Sequence, residues 1–103
     1  MARWLAKVLS RVHELAATGR VRLTYKAARE TAALGQSPED VREVLLGLTG
    51  DDSVGRTAST TTGEWLYVFK PEIGEQTFYV KLILRLDCIV VSFHEDEADG
   101  DED

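Results

Sequence analysis

Residues 76–94 read QTFYVKLILRLDCIVVSFH: two runs of β-branched, aromatic and apolar residues, Phe78–Arg85 and Cys88–His94, broken only at Leu86-Asp87. Alternation at period two marks strands with one face buried. A hairpin turning at Leu86-Asp87 places Tyr79 opposite His94, Lys81 opposite Ser92 and Ile83 opposite Val90. The other face then pairs Val80 with Phe93, Leu82 with Val91 and Leu84 with Ile89, all apolar. Slipping the pairing by one residue would press polar side chains against apolar ones throughout, so the pattern fixes the parity of the register. The turn lacks an Asn-Gly or Gly-rich pair, and its type stays open. The consequence is chemical: a tyrosine, a lysine, a serine and a histidine gather at one end of one sheet face.

The rest of the chain supplies a cover for that sheet. Leu5, Val8, Leu9, Val12, Leu15 and Ala16 recur at three- and four-residue spacing over residues 2–18, predicting an amphipathic helix ended by Gly19. Residues 20–23 fit a short edge strand or a connector. Thr24 is placed to cap a second helix, Tyr25–Leu34. Ser37-Pro38-Glu39-Asp40 is a cap, a proline at the first position and two first-turn acids, so a third helix starts there and buries Val41, Val44, Leu45 and Leu48. After Asp52 the pattern changes to strands, Ser53–Thr60 and Glu64–Lys70, around a Thr-Thr-Gly turn. Helices first and strands after predict an α+β domain, three N-terminal helices on a mostly antiparallel sheet of four or five strands.

Composition bounds the function. The chain has 103 residues, 44% hydrophobic and 29% charged, enough for one domain with one core. Its net charge of −6 is concentrated: Glu95–Asp103 carries seven acids and no base, whereas residues 1–94 hold twelve Lys and Arg against eleven Asp and Glu. The expected organisation is a single domain over residues 1–94 and a disordered acidic tail over 95–103. A single cysteine, Cys88, excludes an internal disulfide and reads as a buried small residue. His13 and His94 have no Cys or His companions at metal-ligand spacing, and no segment is long and apolar enough for a signal peptide or a membrane span. No cofactor is expected, and the cytoplasm is the default location.

The order of motifs resembles a known family. Gly19-Arg20-Val21-Arg22, Gly47-Leu48, the Trp65…Val68…Lys70-Pro71 run, Tyr79-Val80-Lys81 and Val90-Val91-Ser92-Phe93 are similar to the MqsR toxins of bacterial toxin–antitoxin pairs, compact relatives of the RelE/YoeB-type ribonucleases. The likeness spans about residues 5–95. It implies a RelE-like fold, metal-free cleavage of messenger RNA, and silencing by an antitoxin whose family form joins a zinc-binding part to a helix-turn-helix part; DNA would be met only through that antitoxin. Tyr79 matches the family's tyrosine. His94 stands where a lysine usually follows Ser-Phe, and Leu66 where a glutamine usually follows the tryptophan. For the lysine usual after the third helix, Arg56 is the nearest base, with Gly55 equally alignable.

Cleavage of this kind drives the 2′-hydroxyl onto the adjacent phosphate, which calls for a base, an acid for the departing 5′-oxygen and cations for the charge gathering on phosphorus. A histidine exchanges protons near neutrality more readily than a lysine. The expected catalytic set is therefore His94, Tyr79 and Arg56, with Lys81 and Ser92 binding RNA. Each has a plainer role as well: a surface histidine, a cross-strand aromatic pair, a solubilising lysine, an arginine paired with Asp51 or Asp52. The loss of the glutamine position to Leu66 keeps open a second class, a non-catalytic interaction domain with a decayed site. Trp65, Tyr67 and Phe69 alternate along one strand and are expected to pack against core or helix.

Overall fold

The computed structural model describes residues 2–96. Helix α1 (Arg3–Ala17) is followed by strand β1 (Val21–Leu23), helices α2 (Tyr25–Ala33) and α3 (Pro38–Leu46), a 3-10 turn at Gly50–Asp52, and strands β2 (Ser53–Ala58), β3 (Trp65–Phe69), β4 (Glu72–Ile73), β5 (Gln76–Leu84) and β6 (Cys88–Glu95). The class is α+β, as the segment order requires. Two details differ from expectation. The sheet has six strands in the order β1-β6-β5-β3-β2, with β4 paired to the start of β5. It is also mixed, because β1 interrupts the helices and runs parallel to β6, with Val21 opposite Cys88 and Leu23 opposite Val90. A two-residue strand such as β4 has no readable period, which is why the sequence is silent on it.

Local chemistry sets the helix ends. Ser37 and Asp40 exchange side-chain and backbone hydrogen bonds as a capping box at α3 (2.8 and 3.1 Å). Thr24 Oγ1 accepts from the Ala27 backbone N–H at 3.1 Å, starting α2. Gly19 closes α1 at a φ of 77°, a left-handed conformation that a side chain would resist. The His13 Nε2–H donates to the Leu48 carbonyl at 2.8 Å and ties α1 to the end of α3.

All of the core lies between one face of the sheet and the helices. The α1 stripe of Leu5, Val8, Leu9, Val12, Leu15 and Ala16 and the α3 residues Val41 and Leu45 pack with Phe69, Phe78, Val80, Leu82, Cys88, Val90 and Phe93 in one cluster. On the opposite face, Leu66, Val68, Ile83, Ile89 and Val91 are only half-buried and lie outside that cluster. Burial pushes the Cys88 thiol up to about 12.

The β5–β6 hairpin holds the predicted pairing at one end and departs from it at the other. Tyr79 faces His94, Val80 faces Phe93 and Lys81 faces Ser92. Closer to the turn, Leu82 faces Val90, Ile83 faces Ile89 and Leu84 faces Cys88, each partner one residue earlier than the alternation implied. The turn contains three residues rather than two: the Arg85 N–H donates to the Asp87 carbonyl at 3.0 Å. A bulge opposite Lys81 then absorbs one residue of β6 and restores the register. The Asp87 carboxylate is anchored by Arg20 at 3.1 Å and Arg22 at 3.9 Å, so ion pairs to the β1 segment hold a turn that lacks favourable turn residues. Strand β6 runs through Glu95, and the Asp96 N–H donates to Thr77 at 2.8 Å, so the strand enters the segment expected to be tail. Residues 97–103, the remainder of that segment, lie outside the described residues.

Candidate functional site

At the end of the hairpin away from the turn, the Tyr79 and His94 rings stack with centroids 5.0 Å apart and planes 8° from parallel. The bulge leaves this pair untouched, because it lies on the turn side of Ser92. His94 Nδ1 lies 2.9 Å from the Glu95 carbonyl. A carbonyl can only accept, so Nδ1 carries the proton and the lone pair of the neutral ring is at Nε2. Nε2 makes no hydrogen bond among the described residues. The Lys81 ammonium lies 5.9 Å from the Tyr79 ring centre and has no carboxylate partner among the described residues. Tyr79, Lys81 and His94 are all half-buried.

Three further residues, Thr24, Lys26 and Glu30, reach this corner, and none was expected there. Beyond Leu23 the edge of β6 is no longer paired with β1, and α2 runs along it instead. Glu30 accepts the Phe93 backbone N–H at 2.9 Å, Thr24 donates its hydroxyl to the Val91 carbonyl at 3.3 Å, and Lys26 Nζ donates to Ser92 Oγ at 2.9 Å. The helix thus covers a strand edge that would otherwise present open backbone groups. Burial raises the Glu30 pKa, but the Phe93 N–H, the Lys26 ammonium at 2.9 Å and the charge of nearby His94 outweigh it and hold it below the ordinary glutamate value. The only hint in the sequence was Lys26 and Glu30 at i,i+4 on a short alanine-rich helix, a spacing that also marks ordinary surface pairs. On the other flank Lys70 pairs with Asp96 at 3.5 Å.

Arg56 is elsewhere. It faces Tyr67 across β2–β3, and Tyr67 faces the buried Leu82, so the register puts Arg56 on the helix side of the sheet. Its guanidinium is held between two indoles, 3.9 Å from the Trp65 ring centre and 4.7 Å from that of Trp4. The residue in the row of Lys81 and Ser92 is Gly55, opposite Val68, at a φ of 120°. A bulge between Ser53 and Gly55 sets this parity, and nothing in the composition of SVGRTA announced it. The register therefore puts Arg56 on the opposite face of the sheet from Tyr79, Lys81 and His94. Leu66 lies on the open face, opposite Thr57. Ser92 is 4% exposed, and its hydroxyl accepts from Lys26, so little of it is open to a ligand. Among the described residues, no three His, Cys, Asp or Glu side chains converge as metal ligands. Among the described residues, no helix is long and apolar enough to cross a membrane.

Comparison with known proteins gives a consistent picture. The mRNA interferase toxin MqsR of Escherichia coli (strain K12) is 30% identical over 88 residues, covering 84% of this chain and 90% of that protein. Residues 6–95 match the model of the family described as "Motility quorum-sensing regulator, toxin of MqsA", a span from within α1 to the end of β6. The chain belongs to the MqsR toxin family.

Proposed function

We propose that this protein is an mRNA interferase: a RelE-like toxin that cleaves messenger RNA without a metal and is neutralised by a cognate antitoxin. The observation that carries the reading is the Tyr79–His94 stack with Lys81 beside it: a proton carrier and a cation with no carboxylate partner among the described residues, on the sheet face away from the helices. The name of the E. coli relative supports the choice of substrate.

The reaction is a transesterification. His94 Nε2 takes the proton of the 2′-hydroxyl; the oxygen attacks the adjacent phosphorus, the bond to the 5′-oxygen breaks, and the leaving oxygen is protonated by the imidazolium or by water. The products are a 2′,3′-cyclic phosphate and a free 5′-hydroxyl. Lys81 replaces Arg56 as the cation for charge developing on the phosphoryl oxygens. Tyr79 fixes the plane of the imidazole through the stack and presents its hydroxyl on the same face. The backbone bond to Glu95 holds the tautomer, a positioning role that a carboxylate often has. The antitoxin would act by covering the open face or distorting this corner.

Induced alone in a bacterial host, the protein should arrest growth, and co-expression of the adjacent gene should restore growth and co-purify two chains. Purified protein should cut a defined transcript in the presence of a chelator, leaving cyclic phosphate ends. Normal growth on induction, together with an intact transcript, would refute the enzyme and leave a non-catalytic interaction domain.

A further inference from the structure

The outer residues of α2, Tyr25 and Arg29, have no evident task in the fold. Thr24 caps the helix, and Ala27 and Thr31 supply its buried face. Tyr25 is 79% exposed, and the Arg29 guanidinium lies 5.7 Å from the centre of its ring. Arg29 has no carboxylate partner among the described residues. Tyr25, Lys26, Arg29, Glu30 and Ala33 line an open groove of about 400 Å³. This groove borders β6 beside His94, because its own Lys26 bonds to Ser92 and its Glu30 accepts the Phe93 backbone N–H.

We infer that Tyr25 and Arg29 form a binding subsite for a nucleotide flanking the scissile phosphate: an unpaired base stacks on Tyr25 and a backbone phosphate meets Arg29. The inference rests on the cleavage reading and adds to it a path for the substrate strand. The chemistry suits single-stranded RNA. Every base offers a π-face, and an aromatic with an adjacent guanidinium takes stacking and phosphate together without reading sequence. The ion pairing along the groove supports the same occupant. Lys26 is already balanced by Glu30 at 2.9 Å, so Arg29 is the cation left for an incoming anion.

The test measures binding and cleavage separately. A labelled single-stranded RNA with 2′-O-methyl sugars, which cannot be cut, is titrated by anisotropy against the full chain and against Tyr25→Ala, Tyr25→Phe and Arg29→Ala. Tyr25→Ala should weaken binding by about 5- to 100-fold, the range that loss of one base–aromatic stack gives. Tyr25→Phe should bind as the parent does, and Arg29→Ala should flatten the salt dependence. Cleavage of a dinucleotide, which has no flanking nucleotide to place on Tyr25, should be unchanged in all three. Because Tyr25 and Arg29 are exposed, melting temperatures should not move. Alanine variants that bind RNA like a binding-competent parent would overturn the subsite and leave the His94 site standing. Unchanged RNA binding with loss of the co-purifying partner would overturn it in favour of protein docking. A parent that neither binds nor cuts RNA would bring down the site and the subsite together.

Discussion

The two faces of the sheet follow different rules. On the helix side the central strand positions pack into the core, and at the β2–β3 edge the charged Arg56 lies as a flat cation between Trp4 and Trp65. On the open side the middle is half-buried aliphatic and polar residues lie at both ends, Tyr79, Lys81 and His94 at one and the Arg85–Glu64 ion pair at the other. In a period-two element, facing is decided by parity, so one bulge moves a residue from chemistry to packing. The three-residue turn and the bulge opposite Lys81 cancel, and Tyr79 keeps its expected partner. The bulge at the start of β2 has no such compensation, and it puts Gly55 rather than Arg56 on the open face.

The sharpest way to break this contrast is to remove His94. His94→Ala should lower transcript cleavage by about 10²–10⁴-fold, the usual loss on removing a proton-transfer group, and leave the melting temperature within experimental spread. Adding Tyr79→Phe to it should cost little more, because the two act as a unit. Cleavage retained in a folded His94→Ala protein would separate the open face from the chemistry altogether.

The next test concerns the helix that closes the edge beside the site. Glu30→Ala leaves the Phe93 N–H without its acceptor in a partly buried setting, which should reduce stability by about 1–3 kcal/mol. Glu30→Gln, which can still accept, should recover much of that in denaturant titrations. Equal losses in both variants would show that charge, not the hydrogen bond, holds α2 against β6.

Arg56→Ala inverts the His94 test. It should leave cleavage unchanged and destabilise the fold by about 1 kcal/mol, the scale of cation–π contacts at an exposed site. A fall in turnover without a fall in melting temperature would return Arg56 to the active face.

These contrasts also show what was legible. Tyr79 and His94 were paired from hydrophobic alternation alone, because β5 and β6 are long enough for the period to be read. All three helices announced themselves through apolar spacing and through Thr24 and Ser37 as caps. What escaped was non-periodic: the two-residue β4, the parallel pairing of β1, the two bulges, and the docking of Lys26 and Glu30 on the β6 edge. Each depends on contacts between segments far apart in the chain, and no local pattern encodes them. Arg56 illustrates the cost, since a residue chosen for its charge was placed by a bulge.

The open face has a second end, and the smallest predicted effect lies there. Across from His94, near the hairpin turn, Arg85 grips Glu64 through two hydrogen bonds of 2.8 and 2.7 Å, joining the start of β3 to the end of β5. The Arg85 contact, working against a slight burial penalty, pulls the Glu64 carboxyl down from 4.5 to about 2. A carboxylate whose pKa is depressed on folding contributes stability that is fully present above its unfolded value and is lost as the pH falls through its folded value. Glu64→Gln should therefore be slightly less stable than the parent near neutrality, and the gap should close as acid is added between about pH 4.5 and 2. The pair is solvent-exposed and screened, so the gap should be small and should shrink with added salt as well. Cleavage by Glu64→Gln should match the parent, because this end of the face holds an ion pair and no proton carrier. A gap that stays constant from neutral pH down to pH 2 would show that Glu64 acts through packing rather than charge. Impaired cleavage at full stability would extend the active surface along the whole open face.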